Sequence, residues 1–444
     1  MTSITIASGA TLTVVDAASF GTSSTVTMTG GTLTGTGSIK VGGTMNWSGG
    51  TMAGFGNTHV AMGATLAVTG APTLSARQLL IHGTMTLGGT GFNAVYSPSI
   101  AVQPTGTLSF TSTASYLSTN GLLTVNIDSG TVRKHASAGL VRVDWPINNS
   151  GGLIEVVDDS LDLRNTLSHG GGNVSILANA AVIHYGRTLA SAPITIAAGG
   201  VLSLQSQGIV TNSGRHVFTS SSSVSGLGTL RLDGADSTVF AGGLDVDSLT
   251  VENSNVWFNG ADTMKVTRGA YLGGGSFRGS AVLGIRGNVV LNEGLIDGTG
   301  TFNVRAGGNL TVHSMNGWTV DVNNTGKATW GDYDMAFGRD TLNNIPFASM
   351  RVRSGGIFDI MHGSTTPREL LWTNPPSAPY SFLTIDSGGT VRKSAGNGVS
   401  KLHPRIVNYG LFEVVSGTIN VVNLCQWNGT KTGQGSLTGM CGTY

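Results

Sequence analysis

Along most of the chain, small polar and apolar residues alternate. Thr11-Leu12-Thr13-Val14, Thr25-Val26-Thr27-Met28-Thr29, Ser38-Ile39-Lys40-Val41, Thr65-Leu66-Ala67-Val68 and Thr84-Met85-Thr86-Leu87 all keep a period of two. That period, with threonine and β-branched residues enriched, predicts half-buried strands. Gly-Gly, Ser-Gly and Asn-Gly steps separate the strands at short intervals and predict turns. A helical reading is confined to two short pieces, Asp340–Met350 and Arg368–Trp372, each interrupted or followed by proline.

The strand pattern repeats on two scales. Gly35–Val68 matches Gly279–Val312 without insertion. Glycines coincide at 35/279, 43/287, 50/294, 54/298, 56/300 and 63/307, and Ile39/Leu283, Met45/Val289, Trp47/Leu291, Leu66/Leu310 and Val68/Val312 are apolar in both. Farther on, Asp128-Ser129-Gly130-Thr131-Val132-Arg133-Lys134 returns as Asp386-Ser387-Gly388-Gly389-Thr390-Val391-Arg392-Lys393. Gly152-Leu153-Ile154-Glu155-Val156-Val157 returns as Gly410-Leu411-Phe412-Glu413-Val414-Val415. The offset has grown between the two matches, so the second copy carries an insertion, placed within Thr329–Tyr380. The chain therefore divides into a first unit, 1–244, and a second, homologous unit, 245–444. Within each, strand, glycine turn and strand recur about every 20 residues.

A piece of that length cannot bury its own apolar side. Piling each piece on the next hides that side and satisfies the strand hydrogen bonds. The expected fold is all-β: a right-handed parallel β-helix, or β-solenoid, forming a single elongated rod. Its inward positions take Val, Ile, Leu, Met and Phe, and its outward positions Thr, Ser and Asn. At about 4.8 Å per coil, about 20 coils reach on the order of 100 Å. Tandem β-sandwiches are the competing architecture, but they show antiparallel hairpins with alternating outer charge.

Composition sharpens the choice. Glycine supplies 68 of 444 residues, and charged residues only 11%. Amphipathic helices need charged outer faces that this chain cannot supply. Lys+Arg 24 against Asp+Glu 23 leaves no basic excess for a nucleic-acid partner. No apolar stretch is long enough for a membrane-spanning helix. The opening Met1-Thr2-Ser3-Ile4-Thr5 lacks signal-peptide character and runs directly into strand pattern. The chain therefore reads as a monomeric segment of something longer, or as a protein exported by another route. Cys425 and Cys441 admit two readings, a pair of free thiols or one disulfide. With fifteen residues between them, a disulfide loop would contribute about 3 kcal/mol.

Gly31-Thr32-Leu33-Thr34-Gly35-Thr36-Gly37-Ser38-Ile39 is similar to turns of large bacterial surface proteins and autotransporter passenger regions. Asn46–Gly56 and Gly294–Gly300 look the same. The Gly-Thr-Val-Arg-Lys and Asn-x-Gly-Leu-x-Glu-Val segments resemble strand starts of repeat arrays in giant secreted bacterial proteins. The resemblance implies a pectin-lyase-like β-helix at the cell surface or outside the cell. Ser436–Tyr444 departs from the barrel strand that closes an autotransporter, and none of the matching positions belongs to an enzyme motif.

Candidate chemistry is sparse. Asp158-Asp159 with Asp162, Asp245 with Asp247, and Asp332 with Asp334 are the densest carboxylates. They read either as acid–base or Ca²⁺ sites or as solvated turns and strand ends. Arg133-Lys134 and Arg392-Lys393 recur in both copies. As neighbours on a strand they face opposite sides, and a surface ion pair with Glu155 or Glu413 is their plain structural role. The nine histidines never fall at i, i+2 or i, i+4, so no zinc spacing exists and no metal or cofactor is expected. Thr-x-Thr rows that could match ice occur in the first copy but not the second. Trp47 aligns with Leu291 and reads as core. Trp330 and Trp372, inside the insertion, read as sugar contacts, with Asp332 and Asp334 beside them.

The expected function is a non-catalytic, extracellular structural or adhesive segment of a larger surface protein, displaying loops to a glycan or a host or cell-surface protein. A carbohydrate-active β-helix enzyme, polysaccharide lyase or glycoside hydrolase, is the alternative, and a phage or virion fibre the second.

Overall fold

The computed structural model of the protein describes residues 3–89, 91, 93–116, 123–136, 139–206, 214–292, 295–296, 298–312, 319–322, 325–331, 335–337, 349–362, 367–372 and 381–443. It is all-β, a parallel β-solenoid of about 18 turns with no α-helix among the described residues. Two compact units are present, Met1–Arg231 and Leu232–Tyr444.

In the first unit each coil contributes three strand segments, and each stacks in register on its counterpart in the next coil. Ser3–Ile6 pairs with the start of Thr25–Thr34, which pairs with Thr44–Met52, then Thr65–Val68 and Thr84–Leu87. Thr11–Thr13 and Ala18–Phe20 begin the other two faces. Sharing a register lines like residues into columns. Outward on the first face, Ser3, Thr25, Thr44, Thr65, Thr84, Thr107 and Thr131 lie one above the other. Inward, Met28, Trp47, Val68, Leu87 and Phe110 form a buried column. The strict alternation of buried and partly exposed residues in Thr65–Val68 and Thr84–Leu87 is the period of two seen in the sequence. Trp47 is fully buried, as its alignment with Leu291 implies.

The second unit has the same parallel construction. Gly243–Phe258 pairs with Met264–Gly279 along nearly its whole length, and three shorter strands continue the coil. Phe258, Phe277 and Phe302 stack through its interior with ring centroids 4.5 and 5.6 Å apart.

The matched glycines do one specific job. Gly35 and Gly279 have φ of +114° and +121°, and Gly54 and Gly298, one coil later, +85° and +115°. A Cβ at Gly35 would sit 2.0 Å from the Val14 carbonyl oxygen, and one at Gly279 2.1 Å from that of Phe258. Only glycine allows both the left-handed backbone and this close approach of one coil's corner to the next.

Both short helical expectations fall away. Arg368–Trp372 is a strand, paired in parallel with Met335–Phe337 and with Val399–Leu402. Five residues cannot nucleate a helix against ladder bonds offered on both sides. For Asp340–Met350, residues 340–348 lie outside the described residues, and Met350 belongs to the strand Ser349–Val352. The span proposed as an insertion also contains ordinary rungs at Ser349–Val352 and Ile357–Ile360.

One buried charge ties the corners of the first unit together. Arg77 is fully buried, and its guanidinium donates to Thr58 Oγ1 (2.8 Å) and to the carbonyls of Gly35 (3.3 Å), Ala53 (3.2 Å), Gly37 (3.0 Å) and Asn57 (2.9 Å). Those groups come from two earlier coils, so one side chain fixes three successive corners. Burial lowers the Arg77 pKa, which no carboxylate offsets. Arg77→Met would remove all five of these hydrogen bonds from the corners, and should cost about 3 kcal/mol in urea unfolding. Arg77→Lys should recover little, because an ammonium cannot span the same acceptors.

Candidate functional site

Among the described residues, the tryptophans and carboxylates singled out in the sequence lie on different strands. Trp330 is not a surface platform: it is fully buried on Lys327–Trp330, its ring 5.3 Å from that of His362. It points inward because Ala328 and Trp330 hold the buried positions of that strand, so it cannot stack on a sugar. Trp372 ends the strand Arg368–Trp372, in register with Phe337. Asp332 and Asp334 lie outside the described residues.

Asp245, Asp247, Asp359 and Asp162 are held in ion pairs. Asp245 meets Lys265 (3.0 Å) and Asp247 meets Arg268 (3.1 Å), while Asp359 meets Lys327 (2.7 Å). Asp162 is buried beneath Arg142 (3.4 Å) and Arg164 (3.0 Å). Asp158 offers its backbone carbonyl to Lys134, and Asp159 adopts a positive φ of 56°. Apart from the local Arg164–Asp162 pair, these are rung-to-rung contacts and turns.

The repeated basic pairs split as strand geometry requires. Arg133 faces out and meets Glu155 at 2.8 Å, one coil later, and Arg392 meets Glu413 at 2.5 Å. Ladder pairing brings both about, since Arg133 is the register partner of Glu155 and Arg392 of Glu413. Lys134 and Lys393 face in and are fully buried. Lys134 sits between Phe110 and Val156 in the inward column, and Lys393 between Ile360 and Val414. Each ammonium reaches a corner carbonyl, that of Asp158 in one unit and Ala395 (2.9 Å) in the other. Burial lowers both lysine pKa values. Asp159 and Asp158 partly offset this at Lys134, and no carboxylate does so at Lys393.

Polar groups that the sequence left scattered are gathered inside the first unit. Asn149 is buried, and its Oδ1 accepts from the amides of Gly152 (2.8 Å) and Gly151 (3.3 Å). Its Nδ2 donates to the Gly152 carbonyl (3.0 Å) and to His169 Nδ1 (3.2 Å). Asn408 repeats the corner bond in the second unit, accepting from the Gly410 amide at 3.0 Å. A second cluster joins two buried imidazoles through one hydroxyl. His184 Nε2 donates to the Asn165 carbonyl (2.8 Å), so its Nδ1 accepts from the Thr188 hydroxyl (2.7 Å). That hydroxyl also lies 2.9 Å from His216 Nδ1. The space beside them, walled by Leu163, Leu167, Leu204 and Phe218, is of single-water size. A short motif could have paired His184 with Thr188, four residues apart, but only the coil geometry brings His169 to Asn149 and His216 to Thr188.

At the far end, the backbone pairs Cys425 with Cys441, and Cys425 is buried and disulfide-bonded. Among the described residues no helix is long and apolar enough to cross a membrane. No family model matches the chain, and no curated protein does.

Two outcomes follow from these interiors. Burial pushes the His184 imidazole from 6.5 down to about 4, and burial together with His184 pushes His216 down to about 3. The folded values lie below the unfolded one, so the stabilisation is complete above about pH 6.5 and is lost as pH falls toward 4 and 3. Urea unfolding at pH 4 should show a loss on the order of 3 kcal/mol from His184 alone, and His184→Phe should flatten the pH dependence. Lys393→Met, which removes a buried charge and keeps the volume, should leave stability unchanged or raise it by about 1 kcal/mol in the same assay.

Proposed function

We propose that the chain is a non-catalytic structural or adhesive β-solenoid segment of a larger surface protein, working outside the cell and holding loops toward a glycan or protein partner. The observation that carries this reading is the shared work of the repeated segments. In both units the recurring arginine pins successive rungs through a glutamate, and the recurring lysine fills the interior. Here the two copies keep the same mechanical roles, as a scaffold built by duplication would. The disulfide at Cys425 fits an oxidising compartment. The resemblance of the glycine turns to bacterial surface repeats points the same way. A scaffold of this kind presents whatever its turns carry, because its rungs are locked and its loops leave the coil at fixed heights.

Incubation with pectate, alginate and hyaluronan, monitored for unsaturated uronides, tests the reading directly. No turnover is expected. Steady product formation that disappears in Asp158→Ala or Asp162→Ala would overturn it in favour of a polysaccharide lyase.

A further inference from the structure

The coil brings together two histidines that sequence spacing keeps apart. His59 belongs to the strand Asn57–Val60, and His82 directly follows the strand Gln78–Ile81. These strands are neighbours in parallel register, with Leu80 opposite His59. His82 therefore lies one rung on and two residues along, on the same outward side. The rings stand with centroids 4.6 Å apart and planes at 62°. Both side chains are partly exposed, while His59 Nε2 itself is shielded from solvent and has no hydrogen-bond partner.

We propose that His59 and His82 form a two-imidazole binding site for a late first-row divalent metal ion, of the Cu²⁺, Ni²⁺ or Zn²⁺ class. Neutral imidazole is a good ligand for these ions, at metal–nitrogen distances of about 2.0–2.1 Å. Two such bonds to one ion bring the nitrogens to about 3 Å from each other, within reach of ring rotation at this centroid separation.

The surroundings set the strength of the site. Lys40 is the register partner of His59 on the preceding rung and is exposed. Its ammonium opposes a bound cation but is free to swing toward solvent. On the following rung Gln103 donates to Asp128 (3.2 Å). Among the described residues no group of three or more His, Cys, Asp or Glu converges, so water completes the coordination. A bound ion would clip two successive coils from outside. Both rings are placed by the folded ladder, so the ion binds the folded chain and raises its stability.

Titration of the full chain with Cu²⁺ alone, followed by calorimetry and electron paramagnetic resonance, should show a preferred site with two nitrogen donors. His59→Asn and His82→Asn should each weaken that site roughly tenfold or more, while His135→Asn leaves it unchanged. Lys40→Ala touches neither ligand and should tighten binding roughly threefold. Ni²⁺ should raise the thermal midpoint of the native chain and of Lys40→Ala, but not of the two ligand variants. Native affinity in His59→Asn, an equal loss in His135→Asn, or no tightening in Lys40→Ala would overturn the site.

Discussion

Every coil of this protein covers the apolar side of the next, and it can do so only while the coils stay in register. A slip of one residue would turn each inward Val, Leu or Met outward and bring a threonine in. The ladder bonds alone do not prevent slippage, because every rung offers the same amides and carbonyls. Register is held by features that are not periodic. Bulky inward residues such as Trp47 and Phe110 have one place to go. Glycine corners such as Gly35 under Gly54 permit one close approach. The Arg77 guanidinium reaches the carbonyls that the two preceding corners present, which fixes its own corner on them. Cross-rung pairs such as Arg133 with Glu155 add little energy each, but they favour one alignment over its neighbours.

The interior also carries polar groups where a hydrocarbon would serve. They lie near corners, which is where spare backbone carbonyls are found. Strand interiors spend their carbonyls on the ladder, whereas turns leave some unpaired. Lys134, Lys393, His184 and Asn149 each answer such a group. The two units solve the problem alike at Asn149 and Asn408. They differ where Asp158-Asp159 gives way to Ser416-Gly417, which leaves Lys393 with a carbonyl and no nearby carboxylate. This division between outward pairing and inward corner bonding occupies Arg133, Arg392, Lys134 and Lys393 with contacts within the coil.

Strand type, inward and outward faces, parallel stacking and the roles of Arg133 and Glu155 were all legible from Thr-x-Thr alternation, glycine spacing and the internal match. Each depends on local period or on self-similarity, and both are written along the chain. Trp330 was misread because a tryptophan in a stretch rich in polar residues resembles a surface platform; its burial depends on the neighbouring coils. Arg368–Trp372 was misread because five residues carry too little pattern to separate strand from helix.

By itself, then, the amino-acid order determined that the chain would be all-β, that its apolar residues would share one side, and that two related stretches would build alike. Only the tertiary structure decided which distant side chains meet. A coil closes after some twenty residues, and small differences in corner length shift the partner by several positions. Hence His59 beside His82, His184 joined to His216 through Thr188, and Arg77 bonded to two earlier corners arise from the accumulated geometry of the turns, which no motif of adjacent residues encodes.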